Sequence, residues 1–241
     1  MNPFERLRLE KSAADCGFEL TPCIREDGAL ELRSAAFPEV MWISTRNVGA
    51  GKFQVRASTK ALLDVQVADT IEVDGYEKLY PILQRASAIA RTMPNRIADK
   101  YRLVNALLPV STEAERLVVQ RLGQGLFRDA LLDYWQGRCC VTGLAVSSLL
   151  RASHIKPWAK CETDDERLDV FNGLLLAPHV DALFDGGWIS FLDNGGVIIS
   201  PSLPGVACAQ LGVSLKWRLC GLKPRHALYL EFHRQYEFRS E

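Results

Sequence analysis

The residues best suited to do chemistry in this chain lie between positions 154 and 185. His154 sits in Ala152-Ser-His-Ile-Lys-Pro-Trp158, and Asn172 opens Asn172-Gly-Leu-Leu-Leu-Ala-Pro-His-Val-Asp-Ala-Leu-Phe-Asp185. An imidazole titrates near neutrality, so it can take or give a proton at physiological pH. The aspartates at 181 and 185 add oxygen donors and negative charge. Taken singly, a histidine at a strand end is more often a hydrogen-bonded structural residue, and aspartates at i and i+4 are more often a solvated helix face.

The elements that must position them are short. Arg151 to Ile155 reads as a strand that Pro157 ends, because proline lacks an N–H and restricts the residue before it. Leu174 to Leu176 form a compact apolar run after the Asn172-Gly173 turn signal, and Pro178 suits the first turn of a helix. Val180, Leu183 and Phe184 share one face of that helix, which leaves Asp181 and Asp185 one turn apart on the adjoining face. The order is strand, loop, strand, helix.

That arrangement resembles the HNH endonucleases, nucleases built on a ββα-metal core. More closely, it resembles the bacterial branch that reads roughly LLRASHIKPW…RLDVFNGLLL…DALFD.G.ISF, a phrase present here from Leu149 to Phe191. It extends back over Arg116 to Gly143 and forward to Tyr229-Leu-Glu-Phe-His-Arg234, about the last half of the chain.

The resemblance implies metal-dependent hydrolysis of DNA phosphodiesters, leaving a 5′ phosphate, in a restriction-like or phage-defence setting. Carried over by position, His154 is the general base and Asn172 holds the loop and the orientation of the imidazole. Asp181 and Asp185 are the expected metal ligands, with Ser153 in the slot before the base where many relatives carry an acid or a histidine. His179 is the fallback for Asp181, since two residues apart on a helix they cannot both face one ion. An oxygen-rich set favours a divalent Mg²⁺ or Mn²⁺. Arg151, Lys156, Lys160, Arg121 and Arg128 are candidate phosphate contacts. A ββα site cuts one strand at a time, which makes homodimerisation an expectation. The rival readings are a nucleic-acid-binding module with an inactive core, suggested by Ser153, and an interaction protein using the unit as a scaffold.

The chain has 241 residues with 29 basic and 29 acidic side chains, so its formal net charge is zero. It lacks the strong positive field of a general nucleic-acid binder, and any DNA contact must be local. One further local run is Arg85 to Arg102. No hydrophobic signal core opens the chain and no apolar run is long enough to span a bilayer, which gives a cytoplasmic expectation. Seven cysteines without a Cys-x-x-Cys pair read as thiols, and they argue against a structural zinc.

The first half reads as a short helix over Phe4–Cys16 followed by strands at Phe18–Ile24, Ala29–Arg33, Val40–Thr45, Lys52–Ala57 and Val65–Val73. Tyr76–Met93 turns helical, with Pro81 marking a kink or the first turn. Gly49-Ala-Gly-Lys-Phe53 lacks the spacing of a phosphate-binding loop and reads as a hairpin turn. Ser111 or Thr112 with Glu115 suggests a capping box for a helix over Thr112–Leu122, which Gly123 to Gly125 should break before Phe127–Trp135. Gly186–Ile199 reads as a hairpin turning at Asp193-Asn-Gly195. The expected architecture is α+β: a sheet-rich domain at 1–110, for DNA recognition or dimerisation, and a nuclease domain at 111–241.

Overall fold

The computed structural model describes residues 2–47, 51–63, 70–93, 95–106 and 113–240. The chain is α+β and divides into two compact units, Met1–Arg91 and Thr92–Glu241.

In the first unit, α1 (Pro3–Asp15) starts with a reciprocal cap between Asn2 and Glu5. Strands β1 (Leu20–Ile24), β2 (Leu30–Arg33), β3 (Met41–Asn47), β4 (Lys52–Ala57) and β5 (Thr70–Asp74) form an antiparallel sheet in chain order. Alternation decides its faces: Leu30, Leu32, Met41, Ile43, Phe53 and Val55 are buried, while Glu31, Trp42, Gln54 and Arg56 take the other side. β3 and β4 pair with Asn47 opposite Lys52, as the hairpin reading of 49–53 requires, although residues 48–50 lie outside the described residues. Of the strand expected over Val65–Val73, residues 64–69 lie outside the described residues and Thr70–Asp74 is a strand. Helix α2 (Tyr76–Arg91) runs through Pro81, burying Leu79, Leu83, Ala86 and Ala90.

The second unit opens with α3 (Arg96–Asn105), a helix not foreseen in the sequence, where these residues read as part of a basic run. Ile97, Ala98 and Tyr101 are buried, and Arg102 grips both carboxylate oxygens of Asp165 at 3.1 and 3.2 Å. By compactness α3 belongs with the second unit, which begins at Thr92. The capping box at Ser111 or Thr112 lies outside the described residues.

Helix α4 (Glu113–Tyr134) is continuous, so Gly123 and Gly125 do not interrupt it. A Cβ on Gly123 would stand 2.7 Å from the Trp158 ring and 3.0 Å from Tyr101. The close approach of two aromatic rings outweighs the propensity cost of glycine, about 1 kcal/mol.

The remaining elements are β6 (Arg151–His154), α5 (Asp164–Arg167), β7 (Gly173–Leu176), α6 (Pro178–Asp185), β8 (Ile189–Phe191), β9 (Val197–Ile199), α7 (Gly205–Gln210) and α8 (Pro224–Tyr236). β6 pairs antiparallel with β7, placing Arg151, Ala152, Ser153 and His154 opposite Leu176, Leu175, Leu174 and Gly173. β8 and β9 form the expected hairpin. The core gathers Phe127 and Leu131 of α4, Leu174 to Leu176, Val180 and Phe184 of α6, Phe191 and Leu230. Before β6, the turn after Cys139 wraps around its sulfur, which accepts the N–H groups of Val141, Thr142 and Ala177 at 3.2–3.5 Å. No helix among the described residues is long and apolar enough to cross a membrane.

Candidate active site

Successive residues of a strand project to opposite faces, and β6 follows the rule. Ser153 turns toward α6, where its hydroxyl lies beside the Asp181 carboxylate and lowers its pKa. His154 turns the other way and lies flat on Phe127 of α4, with centroids 3.8 Å apart and planes 14° from parallel. The edge of Trp158 closes its side at 5.5 Å.

The imidazole is fixed by one hydrogen bond. Its Nε2 lies 2.8 Å from the carbonyl oxygen of Arg167. A carbonyl only accepts, so Nε2 carries the proton and Nδ1 keeps its lone pair. Burial pushes the imidazole pKa down to about 4, against the opposing pull of the Arg167 carbonyl, so the ring is neutral at physiological pH. Nδ1 has no protein partner among the described residues. His233 is the instructive contrast: it too stacks on a phenylalanine, Phe184, at 3.9 Å and sends Nε2–H to a carbonyl, that of Phe184. Its Nδ1 is occupied by the Ser190 hydroxyl at 2.9 Å. His233 is a saturated core residue, whereas His154 retains an open basic nitrogen.

Asn172 is fully buried and fastens the loop that presents the Arg167 carbonyl. Its Oδ1 accepts the Lys156 N–H at 2.7 Å, and its Nδ2 donates to the carbonyls of Lys156 at 3.2 Å and Glu166 at 3.1 Å. No hydrogen bond among the described residues joins it to His154; its bonds go to the backbone of the loop.

Two further residues complete this frame, and neither was singled out from the sequence. The Arg167 guanidinium donates to the carbonyls of Cys161 and Trp158 and to Asp164, which curls the loop back on itself. Asp169, only 6 % exposed, accepts from Phe171 N–H, from Arg225 at 3.0 Å and from the Tyr229 hydroxyl at 3.1 Å. Their signal in the sequence is their place in the phrase Arg167-Leu-Asp-Val-Phe-Asn172.

The α6 side holds the carboxylates. Burial raises the Asp181 pKa, the Ser153 hydrogen bond opposes this, the Asp185 carboxylate raises it further, and Arg151 lowers it. A half-buried carboxylate repelled by a second one is a place where a cation relieves the strain. Among the described residues no three His, Cys, Asp or Glu side chains cluster as a metal cage. Two carboxylates and a hydroxyl nevertheless suit Mg²⁺, which keeps several waters and takes only one or two protein carboxylates. His179 stands apart from this group, its ring against Trp217 with centroids 5.8 Å apart. No hydrogen bond among the described residues joins His154 to Asp181 or Asp185.

The proposed phosphate contacts fare differently. Arg151 is exposed beside Asp181. Arg121 is exposed on α4. Lys156 is engaged with Glu166 at 2.6 Å and largely covered, and Lys160 reaches Glu237 at 2.6 Å. Arg128 donates to the carbonyls of Leu150 and Ser147 at 2.7 and 2.8 Å, which braces the approach to β6.

Residues 139–192 match the family model described as HNH endonuclease. The match spans the cysteine turn, β6, β7, α6 and β8, and thus His154, Asn172, Asp181 and Asp185 together. No curated protein matches this chain.

Proposed function

We propose that the HNH endonuclease domain carried by this chain is a working nuclease: a divalent-metal-dependent hydrolase of DNA phosphodiesters in which His154 is the general base. The observation that carries this reading is the unpartnered Nδ1 of a neutral imidazole whose other nitrogen is tied to the Arg167 carbonyl, on the same short strand whose Ser153 lies beside the Asp181 carboxylate of α6. A base must be unprotonated and within reach of the attacking water, and His154 satisfies the first condition by burial and the second by its open nitrogen.

Asp181 and Asp185 would hold the ion, with Ser153 keeping Asp181 in place. When bound, a divalent cation neutralises charge on the scissile phosphate and its leaving oxygen. His154 takes the proton of the attacking water on Nδ1, while Phe127 and the Arg167 carbonyl keep the ring from turning. Asn172 holds the loop that supplies that carbonyl. Arg151 faces the substrate as a phosphate contact. The setting that fits a small nuclease of this design is restriction or phage defence, with the Met1–Arg91 unit selecting the target or pairing two protomers. One site severs one strand, so a double-strand break calls for two protomers or two visits.

Cleavage of plasmid and phage DNA, unmodified and cytosine-modified, with Mg²⁺ or Mn²⁺, tests this directly. Cutting by the wild type that drops 10²-fold or more in His154→Ala is the expected result. DNA binding without turnover in either metal would instead assign the chain to the non-catalytic binding class.

A further inference from the structure

Between Asn194 and Leu230 the chain has no aspartate or glutamate, while Lys216, Arg218, Lys223 and Arg225 lie within that stretch. In a molecule of zero formal net charge this is a local excess of positive charge.

The fold carries the middle of the stretch to α6. Gly196 bridges Arg218 in antiparallel fashion, Val197 N–H donates to the Trp217 carbonyl at 3.3 Å, and Leu219 N–H donates to the Gly195 carbonyl at 2.8 Å. Leu219 is buried, and Cys220 N–H donates to the Cys140 carbonyl at 2.9 Å. Gly195 has φ +83°, and a Cβ there would stand 2.6 Å from the Leu219 carbonyl oxygen, so glycine is what lets the two segments close. The segment is a fixed lip beside the β8–β9 hairpin.

The lip presents an alternation suited to a polyanion. Trp217 is half-buried, with its indole against the His179 ring, and His179 stands two residues before Asp181 on α6. Lys216 and Arg218 on either side are exposed, and Leu215 is 79 % exposed. Arg218 commits one N–H to the Asn194 carbonyl at 3.2 Å, and the Lys216 ammonium has no hydrogen bond or ion pair among the described residues, its backbone N–H alone donating to the Ser214 hydroxyl. An aromatic ring flanked by cations is how sequence-tolerant grooves hold a nucleic-acid strand.

We propose that the segment Leu215–Arg218, backed by His179, is the DNA-holding lip of this site, with Lys216 and Arg218 on phosphates and the Trp217 indole against the sugar–base surface of the strand entering at α6. The inference deepens the nuclease reading and rests on it for the identity of the polymer.

The test is binding, not cutting. Affinity for a fluorescein-labelled DNA duplex is measured by anisotropy over a series of NaCl concentrations without divalent metal, in a His154→Ala background. Removing both cations, as Lys216→Gln with Arg218→Gln, should weaken binding and lower the slope of log K against log[salt] by about 1.8, the share of two phosphate contacts. Trp217→Ala should lose roughly tenfold or more in affinity, with Trp217→Phe retaining most of it. The cation pair touches no core, so melting temperature should stay unchanged and a folding defect cannot mimic the result. An unchanged slope in the double variant, or a loss no larger than that of Lys100→Gln on α3, would overturn the lip. Separate outcomes identify which reading fails: a lip-dependent slope in a protein that never cuts supports the lip and removes the nuclease, while cutting with an unaltered slope removes the lip alone. Binding of RNA or of an acidic protein with no affinity for the duplex would overturn the assignment to DNA.

Discussion

No hydrogen bond among the described residues joins Asn172 to His154, yet adjacent peptides hold them: the Asn172 amide donates to the Glu166 carbonyl at 3.1 Å, and His154 Nε2–H donates to the Arg167 carbonyl at 2.8 Å. The asparagine therefore bears on the imidazole at one remove, through the path of the loop. Asn172→Ala would strand the Lys156 N–H and two carbonyls in a fully buried setting. The expected cost is about 3 kcal/mol of stability, with kcat falling and KM largely retained. Thermal melting and steady-state cleavage check both halves, and wild-type melting would show that the loop has another fastener.

Gly173 lies opposite His154 across the β6–β7 ladder and directly on α4. A Cβ there would stand 2.6 Å from the Phe127 ring and 2.7 Å from Leu131. Gly173→Ala should destabilise the unit by about 1–3 kcal/mol, and it should lower turnover by displacing the ring on which His154 rests. Chemical denaturation reads the first effect. A variant as stable and active as wild type would mean that α4 yields freely.

The two metal-ligand candidates on α6 can be separated. Asp181→Asn should raise the Mn²⁺ concentration needed for half-maximal activity by about tenfold or more, because it removes a charged ligand. His179→Asn should leave that concentration unchanged, since its ring is turned to Trp217. Calorimetric titration of Mn²⁺ gives the answer without a substrate. The opposite ranking would return the role to His179.

His233 supplies a pH dependence of stability. Burial pushes its folded pKa down to about 4, with an unfolded value near 6.5. The unfolded chain therefore binds the extra proton between those values, and stability falls as pH drops through that window. At pH 5 the loss from this residue is about 2 kcal/mol relative to pH 7.5. Melting curves at the two pH values, for wild type and His233→Gln, should show a smaller pH effect in the variant. Equal pH effects would assign the acid sensitivity elsewhere.

The matched segment was legible because its constraints are local. Pro157 and Pro178 mark where a strand stops and a helix starts, and the alternation of β6 follows from residue order. Long-range packing was not legible. Nothing in the sequence around Gly123 announces that Trp158 and Tyr101 press on it, so a continuous helix looked broken there. The helix over Arg96–Asn105 was hidden because its basic side chains read as part of a longer charged run, yet three buried side chains and the Arg102–Asp165 pair suffice to dock it. Lys156 and Arg128 looked like phosphate contacts because a sequence shows charge but not whether a carboxylate or carbonyl already meets it. Arg167 and Asp169 escaped notice because their work is to shape backbone.

The support of His154 has a bearing on heredity as well as on folding. Phe127, beneath the ring, comes from α4, and Arg225 and Tyr229, which hold Asp169, come from α8; all three lie outside residues 139–192. The recognisable signature is therefore smaller than the portable module. A graft of the signature alone onto a foreign scaffold would inherit the histidine without its floor, so recombination that preserves function must carry α4 and α8 along with it.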